Sequence, residues 1–156
     1  LREVLAAYRL SLEIERIGDL AKNVAKRAMI LNEADPVSLT RSVERMGKIV
    51  CSLLKDVLDA YGARDVQAAG AVWRRDEDVD EHYNSLFREL LTYMMEDPRS
   101  ITFCIHLLFS AKNIERMGDH ATNIAETVHY MIKGEPLALE RPKGDTTSFA
   151  PMPMQG

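Results

Sequence analysis

Carboxylate and carboxamide side chains recur at helical spacing in two related stretches of this chain, 15–26 and 115–126. Seven of the twelve positions are identical, including a Glu, an Asp four positions later and an Asn four positions after that. On an α-helix these side chains stand one turn apart, with neighbouring groups roughly 5–6 Å from each other. Groups at that spacing can share or bridge a cation. The two candidate sets are Glu15, Asp19 and Asn23, and Glu115, Asp119 and Asn123.

A ligand set made only of oxygen atoms favours hard cations such as magnesium, manganese, calcium or iron. The stripe contains no Cys or His ligand that would favour a structural zinc site. Ligands on one helix cannot encircle an ion, so a second acidic helix must contribute. The segment 76–81 is the natural source, because it also carries two Asp residues four positions apart. We therefore predict a metal site between two helices, with the ligands Asp76, Asp80, Glu115, Asp119 and Asn123.

The same acidic residues have a simpler interpretation as a solvated helix face. Arg116 can pair with Asp119 three positions later, which contributes only about 0.2–0.5 kcal/mol. Repetition of the whole pattern favours a binding role, because solubility does not require the same Asp and Asn twice. On the helical wheel Met117 and Ile124 belong to the core-facing stripe, and we expect the carboxylates to lie on the outward face. Gly18 and Gly118 are expected to mark places where another helix backbone passes close by.

The apolar residues recur with the period of a helix, and no strand signal is present, so we predict an all-α protein. Short connections between long helices favour an antiparallel helical bundle. Asp35-Pro36, Asp65 and Asp97-Pro98 are expected to start helices, and Tyr61-Gly62 to end one. Residues 135–156 are rich in Pro and Gly and are predicted to be a disordered tail. The four helices are predicted at about 2–31, 36–60, 66–96 and 99–133.

Charge and composition exclude several classes of function. The 156 residues carry a net charge of −4, which does not favour a nucleic-acid partner. No apolar run has membrane-spanning length. Cys51 and Cys104 fall on predicted helices and are expected to be buried free thiols in a reducing cytoplasm. Because the chain opens at Leu1 within a helical pattern, we expect an N-terminal truncation.

The sequence carries no recognisable catalytic signature: no nucleophile–base arrangement, no Gly-rich phosphate loop and no dinucleotide motif. Helical bundles can hold a di-iron centre, whose usual signature is Glu-x-x-His. Only Glu126 and His129 fit that spacing, and one copy does not make a di-iron site. We therefore predict that the protein is not an enzyme. A carboxylate-bridged metalloenzyme or metal-storage bundle is the alternative, and a helical interaction module with a merely solvated acidic face is a third interpretation.

The repeated motif Glu-Arg-(Ile/Met)-Gly-Asp-x-Ala-x-Asn-(Val/Ile)-Ala resembles the signature of the PhoU family of bacterial phosphate-uptake regulators. Residues 36–134 resemble one complete three-helix repeat, and residues 1–31 the last helix of a preceding repeat. The resemblance implies metal patches, with iron foremost and magnesium, manganese or zinc as other ions. Carried over by position, its ligands are the five of the predicted two-helix site. Glu15, Asp19 and Asn23 match in the first repeat, where the partner helix is missing and Lys26 replaces the Glu of the second copy.

The resemblance also implies a function. Members of this family are non-enzymatic adaptors at the cytoplasmic face of the membrane, between the ATPase of a phosphate ABC transporter and a phosphate-sensing histidine kinase. They restrain both partners and do not insert into the membrane. Because the first helix keeps an apolar face without its original neighbours, we expect either a homodimer or a rearranged four-helix bundle.

Overall fold

The computed structural model describes residues 1–31 and 39–137 of the chain. These residues form four α-helices and a short 3-10 turn, with no strand among them, which confirms the all-α prediction. The predicted start at Asp35-Pro36 and nearly all of the predicted tail lie outside the described residues. The elements are α1 (Arg2–Leu31), α2 (Leu39–Ala63), α3 (Val66–Glu96), the 3-10 turn (Pro98–Ser100) and α4 (Ile101–Lys133).

Local capping groups fix the ends of these helices. The Asp65 carboxylate accepts hydrogen bonds from the backbone N–H groups of Gln67 and Ala68, which confirms the predicted start of α3. The predicted end of α2 at Tyr61-Gly62 lies too early in the chain. The helix continues to Ala63, and Arg64 makes the turn with a left-handed φ of 54°.

Helices α2, α3 and α4 form a three-helix bundle with one apolar core. Its largest fully buried side chains come from all three helices, and each contributes about 1.5–3 kcal/mol through removal from water. Helix α4 is the central element, since fifteen of its residues are buried against three in α1. The fully buried large residues include Met46, Leu53, Val57, Val72, Val79, Leu86, Leu90, Leu107, Ile124 and Val128.

Helix α1 lies outside this bundle and packs almost entirely against α4. The two helices run antiparallel, because Glu13 reaches His120 near one end of the contact while Arg27 reaches His106 near the other. The far side of α1 exposes apolar residues, including Val4 (70% exposed) and Tyr8 (63% exposed). The rearranged four-helix bundle is therefore not observed, because α1 is covered on one side only.

The two cysteines differ in their exposure to solvent. Cys104 is buried, whereas Cys51 is exposed on the solvent side of α2, so the expectation of two buried thiols is wrong for Cys51. Both are free thiols.

None of the helices in 1–31 or 39–137 is long and apolar enough to cross a membrane.

Candidate functional site

The contact between α3 and α4 is built around Gly118. A Cβ atom on Gly118 would lie 2.9 Å from Oδ1 of Asp76 and 3.7 Å from Cγ1 of Val79. Gly118 therefore makes room for a carboxylate, and the expectation of a close helix backbone is wrong here. It is also wrong for Gly18, where a Cβ atom would meet nothing within 4 Å among the described residues, because that side of α1 is open.

The seam between α3 and α4 buries carboxylates from both helices, including Glu115, which the helical wheel placed on the outward face of α4. Asp76, Asp80 and Glu115 are only 3%, 4% and 5% exposed, and Asp119 is half-buried. The outward placement is wrong because α3 packs on that side of α4, as the burial of Thr122 also shows. Four of the five predicted ligands thus lie along one seam, which we call the carboxylate seam.

Glu115 has one paired and one unpaired oxygen atom within the carboxylate seam. Its Oε1 atom accepts a hydrogen bond from Nζ of Lys112 at 3.0 Å, while its buried Oε2 atom has no hydrogen-bond partner among the described residues. Burial raises the pKa of Glu115 to about 7, Lys112 opposes the rise, and the nearby charges of Asp119 and Asp80 add to it. Near neutral pH this carboxyl group therefore exists in both protonation states.

Lys112 supplies a positive charge to the carboxylate seam from within the chain. Its Nζ atom also lies 4.9 Å from the centroid of the Tyr83 ring, an arrangement that stabilises an ammonium group. The corresponding position of the first copy is Leu12, so only the second copy carries this cation. Sequence reasoning missed Lys112, although its place three residues before Glu115 on one helix was an available signal.

The carboxylate seam fits a metal ion in its chemistry and not in its present arrangement. Carboxylate oxygens are suitable donors for hard cations, and the unpartnered Oε2 of Glu115 is a free acceptor. Within the described ranges, however, no three His, Cys, Asp or Glu side chains are placed so that they could hold one ion. Metal binding at the seam would require its side chains to move.

Asn123, the fifth predicted ligand, belongs to a different contact. Its Nδ2 atom donates to Oε2 of Glu13 at 3.2 Å, and the same oxygen lies 2.5 Å from Nδ1 of His120. Asn123 and His120 therefore tie α4 to α1 through Glu13. Sequence reasoning missed Glu13, because its partners become neighbours only when α1 crosses α4.

The predicted ligands of the first copy are not enclosed. Glu15, Asp19 and Asn23 are all exposed along α1. In the part of the chain that the structure describes, α1 packs against α4, and no second acidic helix faces these three side chains. The three side chains form an open acidic stripe that a partner can reach.

Comparisons with known proteins identify the family. The family model described as PhoU domain matches residues 43–128, more than half of the chain. The chain belongs to the PhoU family. This match spans most of α2, all of α3 and most of α4, and it includes the carboxylate seam.

Curated relatives support the assignment. The phosphate-specific transport system accessory protein PhoU homolog of Caulobacter vibrioides is 64% identical over 149 residues, which cover 95% of this chain and 65% of the relative. The phosphate-specific transport system accessory protein PhoU of Escherichia coli K12 is 38% identical over 135 residues, which cover 86% of this chain and 56% of the relative. The chain therefore spans less than two thirds of the length of either PhoU relative.

Solved structures agree with the fold. PhoU from Pseudomonas aeruginosa superposes with a TM-score of 0.83 at 38% identity, over 86% of this chain and 65% of that one. The phosphate transport system regulatory protein PhoU from Streptococcus pneumoniae gives a TM-score of 0.81 at 29% identity, over 89% and 66% of the two chains.

Proposed function

We propose that this PhoU chain regulates phosphate uptake as a non-enzymatic adaptor in the cytoplasm. One observation carries the proposal: the chain is 64% identical, over 95% of its length, to a protein named as an accessory of the phosphate-specific transport system. The proposed partners are the ATPase of the transporter and the sensor histidine kinase that responds to phosphate.

The exposed acidic stripe of α1 is the surface that we propose for docking. Glu15 and Asp19 lie one turn apart on a helix whose side chains are open to solvent, so both charges can meet a basic surface. Contacts of this kind mainly raise the association rate and weaken as salt increases. The buried carboxylates of α3 and α4 cannot serve in this way without opening the bundle.

A binding assay with the purified transporter ATPase and the cytoplasmic part of the kinase tests the adaptor proposal. The double variant Glu15→Lys/Asp19→Lys should lose at least tenfold in affinity for one of the two partners. The control is Glu89→Lys/Glu96→Lys, which reverses two exposed charges on α3. If the control loses as much affinity as the α1 variant, the docking surface is wrong. If neither partner binds the unaltered protein, the adaptor role is wrong.

We also propose that metal ions bind at the carboxylate seam, with iron foremost and magnesium, manganese or zinc as other ions. The proposal is supported by four carboxylates on two adjacent helices and by the buried, unpartnered Oε2 atom of Glu115. Lys112 competes with a cation for Glu115, because its ammonium group already holds the Oε1 atom and repels a second positive charge. The first-copy set on α1 is a weaker candidate because its ligands come from one helix.

Elemental analysis and calorimetric titration with manganese test this metal proposal. Glu115→Gln/Asp119→Asn should abolish the bound metal, whereas Glu15→Gln/Asp19→Asn should leave the stoichiometry unchanged. Lys112→Leu, which installs the residue of the first copy, should raise manganese affinity because the competing cation is gone. Equal stoichiometry in all variants would contradict the assignment to the seam.

The exposed apolar side of α1 leads to one more proposal, that two chains pair as a homodimer. Light scattering across a range of concentrations tests it, and a monomer at every concentration would contradict it.

No observation favours the metalloenzyme alternative. The two residues that fit the Glu-x-x-His spacing make other contacts. Glu126 accepts a hydrogen bond from Nε1 of Trp73 at 3.2 Å, and Nδ1 of His129 lies 3.1 Å from the backbone oxygen of Glu135.

A further inference from the structure

The contact between α1 and α4 contains two pockets of nearly equal volume, about 390 Å³ and about 370 Å³. The internal repeat relates them, because residues one hundred positions apart correspond in the two copies. Every residue of the smaller pocket has its counterpart in the larger one. The smaller pocket is lined by Asn23, Lys26, Arg27, Ile30, Phe109 and Asn113. Their counterparts in the larger pocket are Asn123, Glu126, Thr127, Tyr130, Arg9 and Glu13.

This correspondence means that an approximate twofold axis relates α1 to α4. The wall that α1 contributes to one pocket is contributed by α4 in the other pocket. The opposite walls of the two pockets are exchanged in the same way. At the corresponding positions the two pockets therefore differ in their side chains, and the larger pocket is lined in addition by Leu12, Pro136 and Leu137.

Charge is the main difference between the two pockets. The larger pocket contains two carboxylates, Glu13 and Glu126, together with Arg9. The smaller pocket, which we call the cationic pocket, contains Lys26 and Arg27 and no carboxylate among its described lining residues. The chain as a whole has a net charge of −4, so this pocket is positive against an acidic background.

Arg27 is held in place by two contacts on its α4 side. Its Nη1 atom lies 3.2 Å from Nδ1 of His106, and its guanidinium carbon lies 4.5 Å from the centroid of the Phe109 ring. Because stacking fixes the guanidinium plane, the remaining N–H groups keep a set direction, which lowers the entropic cost of binding a ligand. No carboxylate of the described chain pairs with Arg27 or Lys26.

The other polar groups of the cationic pocket complete a set of donors. Asn23 and Asn113 approach from opposite helices, and each carboxamide can donate two hydrogen bonds. A planar guanidinium fork, an ammonium group and neutral amide donors are the groups that recognise a multiply charged oxyanion. We propose that the cationic pocket binds a small tetrahedral oxyanion of the inorganic phosphate type. This site is separate from the carboxylate seam, and of the acidic stripe of α1 it includes Asn23 but neither Glu15 nor Asp19.

Nuclear magnetic resonance with the nitrogen-labelled full chain tests the oxyanion proposal. Titration with inorganic phosphate at constant pH and ionic strength should give saturable shifts of the Arg27 Nε signal and the Asn23 and Asn113 side-chain amides. We expect a Kd in the millimolar range, as for a small ligand in an open pocket. Sulfate should bind with an affinity close to that of phosphate, and chloride should give no saturable shift.

Three variants separate binding from folding. Arg27→Gln and Lys26→Glu should each weaken phosphate binding at least tenfold, and Lys26→Glu installs the residue that the larger pocket carries. The control is Lys22→Ala, which removes an exposed cation of α1 outside the pocket and should bind phosphate normally. Because Lys26 is exposed, its variant should keep the circular dichroism spectrum of the original protein.

Three results would each overturn the proposal: shifts that grow linearly without saturation, equal shifts with chloride, and an equal loss of binding in Lys22→Ala. A failure of partner docking or metal binding in the earlier experiments would leave this result unaffected, since none of their substitutions falls within the cationic pocket.

Discussion

The two copies of the repeated motif share their sequence and differ in their surroundings. In the first copy Glu15 and Asp19 stand in solvent along α1, whereas in the second Glu115 is buried and Asp119 is half-buried under α3. The difference comes from one neighbouring helix. The motif therefore sets the spacing of the polar groups. The helix packed against the motif determines whether those groups are buried or exposed, and so whether they can be ligands, core residues or a docking surface.

The second copy also carries the means to tolerate its burial. Lys112 neutralises one oxygen atom of Glu115, while the first copy has Leu12 in that place. A buried carboxylate without a partner costs several kcal/mol, so burial by α3 and the presence of Lys112 belong together. An exposed carboxylate needs no such partner.

The two glycines of the motif should give the sharpest contrast. Gly18→Ala should raise the free energy of unfolding by about 0.5–1 kcal/mol, because Ala has the higher helix propensity and space is available. Gly118→Ala should lower it by about 2 kcal/mol, because the new Cβ would force the buried Asp76 carboxylate to move. Urea denaturation measures both values. A change of the same sign at both positions would contradict the difference in packing.

The next contrast between the two copies concerns how the free energy of unfolding depends on pH through Glu115. Its pKa is raised from 4.5 to about 7, so the folded state binds more protons than the unfolded state between these values. The free energy of unfolding contributed by this group therefore falls as pH rises through that window, by about 3 kcal/mol, and is level above it.

Glu115→Gln should remove this trend in chelator-treated protein. The difference in unfolding free energy between variant and unaltered protein should grow in favour of the variant from pH 4.5 to pH 7. The matched control is Glu15→Gln at the exposed counterpart. A trend of equal size in both variants would show that burial by α3 is not its cause.

The smallest contrast concerns the contact between α1 and α4. Glu13→Ala removes the acceptor for Asn123 and the partner of His120, and should lower the free energy of unfolding by about 1–2 kcal/mol. Its counterpart Asn113 lines the cationic pocket, and Asn113→Ala should change that free energy by less than about 0.5 kcal/mol. Thermal denaturation of the two variants measures the contrast, and equal losses would contradict it.

The helices were predictable from the sequence because the apolar period and the capping residues are local signals. The predicted limits of α3, Val66 and Glu96, agree with the structure. The meeting of Asp76 and Asp80 with α4 was also predictable, since a carboxylate set on one helix requires a second helix. The function assigned to these residues remains a prediction.

The burial of the carboxylates could not be predicted in the same way. A helical wheel assumes one core-facing stripe, but α4 is covered on several sides, and its second buried face is built from Gly118, Thr122 and Ala125. Small and polar residues of this kind carry no hydrophobic signal. The pairing of Glu13 with His120 was invisible for another reason, since it depends on how α1 crosses α4.

The twofold relation between α1 and α4 has a consequence for the history of the chain. A contact in which each side repeats the other has the form of a homodimer interface, so a single-repeat ancestor could have paired with its own copy through this surface. In such a dimer both pockets are encoded by one gene segment and must be identical. Duplication and fusion free each half to change alone. The charge reversal between Lys26 and Glu126 is a divergence of this kind, available only after the two halves became one chain.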